Sequence, residues 1–146
     1  MGKAVQPALR TDEYAKLASF RFALRRFLRF SEQAAGRVGL TGQQYQAMLI
    51  VRSRANGDPV TIADLARELL VRHHSAVGLV DRLVAHGHLE RDRASTDHRK
   101  VQVRLTPKGK RELGRLASIH RLKLHRITPD IFRALGALTG AWRREP

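Results

Sequence analysis

The side chains best suited to bind a polar partner are concentrated in two short runs of the sequence. His73, His74 and Ser75 are consecutive, and Arg82 follows in the same segment. The second run, residues 94–100, is the polar and basic stretch Ala-Ser-Thr-Asp-His-Arg-Lys. Imidazole and hydroxyl groups both donate and accept hydrogen bonds, and guanidinium groups pair with anions. These runs therefore indicate recognition of a polar, negatively charged surface.

The overall charge points to the same kind of partner. The chain has 146 residues, with 28 lysines and arginines against 13 acidic residues and a formal charge of +15. Nucleic acid is the commonest partner of a small protein this basic, whereas a membrane surface would require a basic amphipathic helix or a lipid anchor. Aromatic residues make up only 5% of the chain and form no stacking platform for single strands. Double-stranded DNA is the predicted partner.

Several functional classes are disfavoured by what the sequence lacks. It has no cysteine, which excludes a disulfide framework and a thiol switch. It has no glycine-rich phosphate loop, no Ser/His/Asp pattern and no paired carboxylates in an apolar setting, so we predict no enzymatic activity. It shows no signal peptide, no myristoylation signal and no apolar run near 18 residues, which predicts a cytoplasmic protein.

The histidines raise the question of a metal site. His86 and His88 are two residues apart across a predicted helix end, and the sequence places no obvious carboxylate beside them. His120 and His125 are five residues apart, a spacing that does not share one helix face well. We therefore predict no metal and no cofactor, and keep a metal-sensing module as an alternative.

Amphipathic periodicity and capping signals predict the elements that position the first polar run. Thr41 and Gln44 form a capping box for a helix that ends near Ala55, and Thr61 caps the helix that follows. The helix carrying the polar run has small and polar residues outward, as in a helix-turn-helix. The predicted helices are 11–37, 42–55, 62–69 and 73–85, and the predicted buried stripe of the fourth is Ala76, Leu79, Val80 and Leu83.

Alternating residues predict a β-hairpin directly after this helix. Leu89 points inward from 88–93, and Val101, Val103 and Leu105 alternate in the second strand, with the basic segment 94–100 between them. A helix-turn-helix followed by a basic hairpin predicts a winged helix. The predicted fold class is mainly α with a small β-hairpin (α+β).

The flanking segments are predicted to be helical and to cover one another in a dimer. The first helix is apolar on several faces, which suggests that a second subunit covers it. Thr106-Pro107 and Thr128-Pro129 each carry the signal of a helix start, so two C-terminal helices are expected. The predicted domains are an N-terminal dimerisation helix (1–39), a winged helix-turn-helix DNA-binding domain (40–106) and C-terminal dimerisation helices (107–146).

A set of motifs over residues 40–110 resembles the MarR family of transcriptional regulators. These motifs are Thr61–Ala66, Ser75–Leu83, Gly87–Arg91, then Asp97-His-Arg99, Val101–Thr106 and Gly109. The resemblance implies an obligate homodimer in which the first helix and the last two helices interlock. It also implies a repressor released by a small effector bound between the dimer region and the winged helix, although no effector residues can be assigned.

Site residues follow from the helix-turn-helix pattern and from the resemblance. The second helix of such a motif enters the major groove, and the resemblance implies that the wing arginine enters the minor groove while the aspartate orients the wing. The predicted major-groove residues are His73, His74, Ser75, Gly78 and Arg82, the wing residues are Asp97 and Arg99, and the phosphate contacts are Thr41, Gln43, Arg91, Arg93 and Lys100.

Structural roles are the alternatives for these residues. Thr41 could serve solely as a helix cap, and Arg82 could pair with a nearby acid. His73 and His74 could simply be solvated residues at the start of a helix. For the whole chain, a winged-helix protein-interaction module without a specific DNA operator is the alternative. The preferred partners are a pseudo-palindromic DNA operator, a second copy of the chain and a small-molecule effector, with no membrane.

Overall fold

The computed structural model describes residues 8–92 and 100–139. They form two compact units, one spanning Ser31–His120 and the other containing residues 8–30 and 121–139. The elements are α1 (Thr11–Gly36), α2 (Gly42–Ser53), β1 (Val60–Thr61), α3 (Ile62–Glu68), α4 (His73–Ala85), β2 (Leu89–Asp92), β3 (Gln102–Leu105) and α5 (Pro107–Thr139).

The unit Ser31–His120, called here the central unit, is built around a small antiparallel sheet. The strand order is β1-β3-β2, with Leu89 opposite Leu105 and Val60 opposite Val103. The predicted hairpin is therefore present, but a third strand that sequence periodicity did not reveal pairs with β3. Because β1 has only two residues, it cannot show an alternating pattern. Met48, Leu65, Val80, Leu83, Leu89 and Leu116 are fully buried in this unit.

Threonine caps start three of the helices, as the sequence predicts. The Gln44 amide donates to Thr41 Oγ1 at 3.1 Å, and the Thr41 amide donates to Gln44 Oε1 at 2.9 Å. At α3, the Thr61 amide donates to the carboxylate of Asp64 at 3.0 Å. This hydrogen bond is the main reason that the pKa of Asp64 is lowered to about 2. At α5, the Gly109 amide donates to Thr106 Oγ1 at 3.0 Å.

Helix α5 corrects the prediction of two C-terminal helices. It runs without a break from Pro107 to Thr139, with Pro129 inside it. Thr128 does not cap a new helix, because its hydroxyl donates back to the Leu124 carbonyl. Proline removes one helical hydrogen bond but is compatible with a continuing helix when one face stays packed. The half-buried positions on either side of Pro129 share one stripe, namely Ile127, Ile131, Ala134 and Leu138.

The second unit, called here the terminal unit, leaves much apolar surface exposed in the single chain. Lys123 lies 5.2 Å from the centroid of the Phe30 ring, and Arg26 lies 5.8 Å from that of Phe22. The arginines of α1 are exposed. The exposed large apolar residues of the terminal unit are Leu9, Tyr14, Leu17, Phe22, Leu24, Leu28, Leu122, Leu124, Phe132 and Leu135.

Candidate nucleic-acid interface

Helix α4 presents the first polar run to solvent. His73, His74 and Ser75 are all exposed. The predicted stripe of Ala76, Leu79, Val80 and Leu83 is buried on the opposite face. The 3.6-residue helical period separates these two faces, so the packing of the stripe fixes the direction in which the polar run points.

The amino end of α4 differs from those of α2, α3 and α5. Its N-cap residue is Arg72, which makes no side-chain hydrogen bond to the helix. The first amides of a helix carry partial positive charge and need an acceptor. With an arginine at the cap and two histidines in the first turn, this end can accept an anionic oxygen from outside the chain.

Gly78 and Arg82 extend the same face of α4. A Cβ placed on Gly78 would meet nothing within 4 Å, so the space beside this residue is open. Arg82 is exposed and forms no ion pair within the described ranges 8–92 and 100–139. Its pairing with an acid, the structural alternative, is therefore not observed among these residues.

An open groove of about 430 Å³ lies between α2 and α4. It is lined by Glu32, Thr41, Gln43, Gln44, Leu79 and Arg82. The structure thus brings together Thr41, Gln43 and Arg82, which the sequence assigned to DNA separately. Thr41 Oγ1 is already bonded as a cap. Glu32 was not predicted to lie here, and its carboxylate accepts the Gly42 amide at 2.7 Å.

Arg91 is placed on β2, where its guanidinium binds the Asp81 carboxylate of α4. On the neighbouring strand, Arg104 binds Glu90 at 2.8 Å and lies 3.7 Å from Asp92. The first ion pair ties the base of the hairpin to α4. The guanidinium of Arg91 has five donors and can contact a phosphate as well, but it is not a free cation.

The remaining wing residues divide between described and undescribed parts of the chain. Lys100 is exposed just before β3. Arg93, Asp97 and Arg99 lie outside the described residues, so their predicted roles at the wing stay predictions.

The start of α5 packs very closely on the base of the hairpin. A Cβ on Gly109 would lie 2.1 Å from the His88 carbonyl oxygen, which leaves no room for any other residue. The Thr106 amide donates to that same carbonyl at 3.1 Å, and Thr106 Oγ1 donates to the Gly87 carbonyl at 2.5 Å. These contacts explain why position 109, three residues after Thr106, is occupied by glycine.

His88 has a carboxylate partner that the sequence did not indicate. It is buried, and its Nε2 lies 2.5 Å from the Glu112 carboxylate on α5. The ring centroid of the exposed His86 lies 6.4 Å from that of His88. Among the described residues, no group of three or more histidine and acidic side chains is arranged to hold a metal ion.

His120 is a packing residue of the central unit. Its Nδ1 lies 2.7 Å from the Leu116 carbonyl and its Nε2 lies 2.8 Å from Ser31 Oγ. Its ring stacks on Tyr45 at a centroid distance of 4.2 Å. Burial raises the pKa of the Tyr45 phenol. Both ring nitrogens of His120 are thus engaged within the protein.

Comparison with known protein families finds a sequence match in the central part of the chain. Residues 38–100 match the sequence model of the MarR family. The matched region includes α2, α3, α4 and the first strand of the hairpin, β2, and ends just before β3. In sequence, the helix-turn-helix of this chain is therefore similar to that of the MarR family.

Several solved protein structures resemble this chain over most of its length. AbsC, a MarR family transcriptional regulator from Streptomyces coelicolor, is 20% identical over 94% of each chain, with a TM-score of 0.75. RV1404 from Mycobacterium tuberculosis is 24% identical over 95% of this chain and 99% of its own, with a TM-score of 0.66. At these identities the likeness shows the fold alone, which is a winged-helix fold like that of AbsC.

A third similar structure is the F27L mutant of MepR from Staphylococcus aureus, bound to an oligodeoxyribonucleotide. It is 19% identical over 80% of this chain and 82% of its own, with a TM-score of 0.63. No curated protein sequence matches this chain. Within the described residues, no helix is both long and apolar enough to cross a bilayer.

Proposed function

We propose that this protein is a transcriptional regulator that binds double-stranded DNA through α4. The observation that carries the proposal is the uncapped, basic amino end of α4, with His73, His74 and Ser75 exposed beside it. A recognition helix places such early residues against base edges in the major groove. The MepR relative captured with an oligodeoxyribonucleotide supports DNA as the partner.

The proposed contacts fall into three classes. Side chains of α4 read bases, the wing reaches the minor groove, and further polar or cationic groups bind phosphates, which give affinity without sequence information. The base-reading residues are His73, His74, Ser75, Gly78 and Arg82, the wing residues are Asp97 and Arg99, and the phosphate contacts are Thr41, Gln43, Arg91, Arg93 and Lys100.

We infer that the regulator acts as a homodimer on a pseudo-palindromic operator. The exposed apolar side chains of the terminal unit support this, because a second copy would remove them from water. Two-fold symmetry would place the α4 helices about 34–36 Å apart, one turn of B-DNA. We further propose that the dimer is a cytoplasmic repressor without enzymatic activity, released from DNA by a small effector.

The test is fluorescence anisotropy of the purified protein with two duplexes across a salt series. One duplex comes from the region beside the protein's own gene and the other is its scrambled version. If the proposal is right, the protein binds the first duplex tightly and the scrambled duplex weakly. The affinity should fall steeply with salt, because binding of the protein's cationic side chains releases counterions from the phosphates. Equal and weak binding to both duplexes would contradict the proposal and point instead to a protein-interaction module.

The proposed role of the wing is tested in the same assay by substituting Arg99. Arg99→Ala should lose most of the operator affinity while the protein stays folded and dimeric. Unchanged affinity would remove Arg99 from the interface without affecting the assignment of α4.

A further inference from the structure

The turn between α3 and α4 contains a leucine in an unfavourable backbone conformation. Leu70 has a φ of 56°, in the left-handed region that glycine adopts easily and that residues with a Cβ rarely adopt. Its side chain is 92% exposed, so burial in the protein core does not hold it there. A large apolar side chain is thus displayed to solvent by a strained backbone.

The turn itself does not require a leucine. Helix α3 ends in a Schellman motif, in which the Val71 amide donates to the Ala66 carbonyl at 3.0 Å and the Leu70 amide donates to the Arg67 carbonyl at 3.3 Å. Helices α1 and α4 end with the same pair of hydrogen bonds. The residues equivalent to Leu70 there are Gly39, with a φ of 75°, and Gly87, with a φ of 74°. The motif needs a positive φ, and glycine provides it without strain.

The position of Leu70 places it beside the proposed base-reading end of α4. It precedes His73 by three residues, so the two Cα atoms are within about 11 Å of each other. The exposed residues around it in the chain include the cations Arg72 and Arg67, the second of which is bound to Asp64 at 2.7 Å. Glu68, the acid in this stretch, is bound to Arg54. A basic neighbourhood of this kind favours DNA over an apolar protein surface as the partner of the leucine.

We propose that Leu70 contacts the 5-methyl group of a thymine in each half-site of the operator. This inference rests on the proposed function of α4 and adds one residue to its reading set. The thymine methyl is the apolar group that base pairs present in the major groove, and an apolar side chain placed against it discriminates thymine from cytosine or a purine. Leu70 therefore supplies an apolar reading contact next to the polar contacts of His73 and His74.

The experiment replaces the thymines of the operator one at a time by deoxyuridine, which removes only the methyl group. Affinities are measured for the wild-type protein and for Leu70→Gly. The wild type should bind roughly three- to fivefold more weakly at one thymine position per half-site, the loss expected for one buried methyl. Leu70→Gly should bind the unmodified operator more weakly by a similar factor and should be insensitive to deoxyuridine at that position.

Two further measurements separate this contact from a structural role. The melting temperature of Leu70→Gly should equal or exceed that of the wild type, because glycine suits the positive φ. Leu70→Asn should behave like Leu70→Gly in DNA binding, because asparagine tolerates this conformation but is polar. A lower melting temperature for Leu70→Gly would show that the leucine stabilises the turn and would overturn the proposal.

The remaining outcomes distinguish this inference from the function on which it rests. If both proteins bind the operator and respond identically to every deoxyuridine, the thymine contact is wrong while the regulator function stands. The exposed leucine would then point to a protein partner. If the wild type does not distinguish operator from scrambled DNA, both proposals fail.

Discussion

The side chains of the proposed interface differ in whether the protein already uses them. Thr41 Oγ1 is bonded to the Gln44 amide, and Arg91 is bonded to Asp81. Such residues can contribute to DNA binding only with the bonding capacity that they have left. His73 and His74 are exposed on the amino end of α4. We therefore expect substitutions of the two histidines to alter base preference, and substitutions of Arg91 to affect protein stability as well as affinity.

Substitution of Gly78 should change protein stability and operator affinity in opposite directions, so the two effects can be measured separately. The space beside its Cα is open, so Gly78→Ala should fold normally and be more stable by about 1 kcal/mol, the usual preference of a helix interior for alanine over glycine. The added methyl group occupies space between α4 and the bases, and operator affinity should fall. Thermal melting and fluorescence anisotropy on the same variant measure the two effects.

Gly114→Ala is the matched control. Gly114 is also a helical glycine, and a Cβ on it would also meet nothing within 4 Å, but it lies on α5. It should gain similar stability and leave operator affinity unchanged. If Gly78→Ala binds the operator as tightly as Gly114→Ala does, helix α4 does not approach the bases closely at this position.

Sequence periodicity predicted single residues well where the pattern is local and failed where the partner is distant. The buried stripe of α4 was predicted because its positions repeat along one helix. The partner of His88 is Glu112, 24 residues away on another helix. No local pattern encodes such a pairing, which depends on how α5 packs on the hairpin.

Helix starts were the most predictable of the elements, because their signals are short. The capping box at Thr41 and the N-cap at Thr61 form as expected, with hydrogen bonds that span only three residues. Strand β1 was missed because a two-residue strand exists only through its pairing with β3. The break expected at Pro129 was wrong because the signal of a helix start is also compatible with a proline inside a packed helix.

The capping box of α3 predicts a pH-dependent contribution to stability. The pKa of Asp64 is lowered from 3.8 to about 2, so its ionised form is favoured by folding. Such a group stabilises the protein fully above its unfolded pKa, and this stabilisation is lost as the pH falls through the folded pKa. Asp64→Ala should therefore lower the free energy of unfolding by about 1 kcal/mol at neutral pH, the typical value of a cap.

The difference between wild type and Asp64→Ala should shrink between about pH 4 and pH 2, as urea unfolding across this range would show. Asp12→Ala is a suitable control, because Asp12 is an exposed acid near the start of α1 whose removal breaks only exposed ion pairs. A difference for Asp64→Ala that stays constant down to pH 2 would contradict the assigned role of the ionised carboxylate.

The whole molecule is predicted to exist as a dimer held by the terminal unit. Leu28 on α1 and Leu122 on α5 are 63% and 64% exposed in the single chain. Burying two aspartates at an apolar interface is costly because unpaired charges lose their hydration. The double variant Leu28→Asp/Leu122→Asp should therefore sediment with the mass of one chain, whereas the wild type should have twice that mass.

Ser19→Asp is the control for added negative charge, because Ser19 is an exposed polar residue of α1. It should remain dimeric, and its operator affinity should fall much less than that of the double variant. A double variant that sediments like the wild type would show that these two leucines do not lie in the interface between subunits.

The ion pairs at the base of the wing connect the hairpin to the proposed reading helix. Within residues 8–92 and 100–139, Asp81 of α4 is bound to Arg91 of β2, and Glu90 of β2 is bound to Arg104 of β3. Exposed ion pairs are weakened by salt, as are contacts between cations and phosphates. A rise in ionic strength would therefore act on the protein as well as on the duplex, because it loosens the attachment of the wing to α4. The steepness of the salt dependence would then report on the order of the wing and not only on the number of phosphates bound.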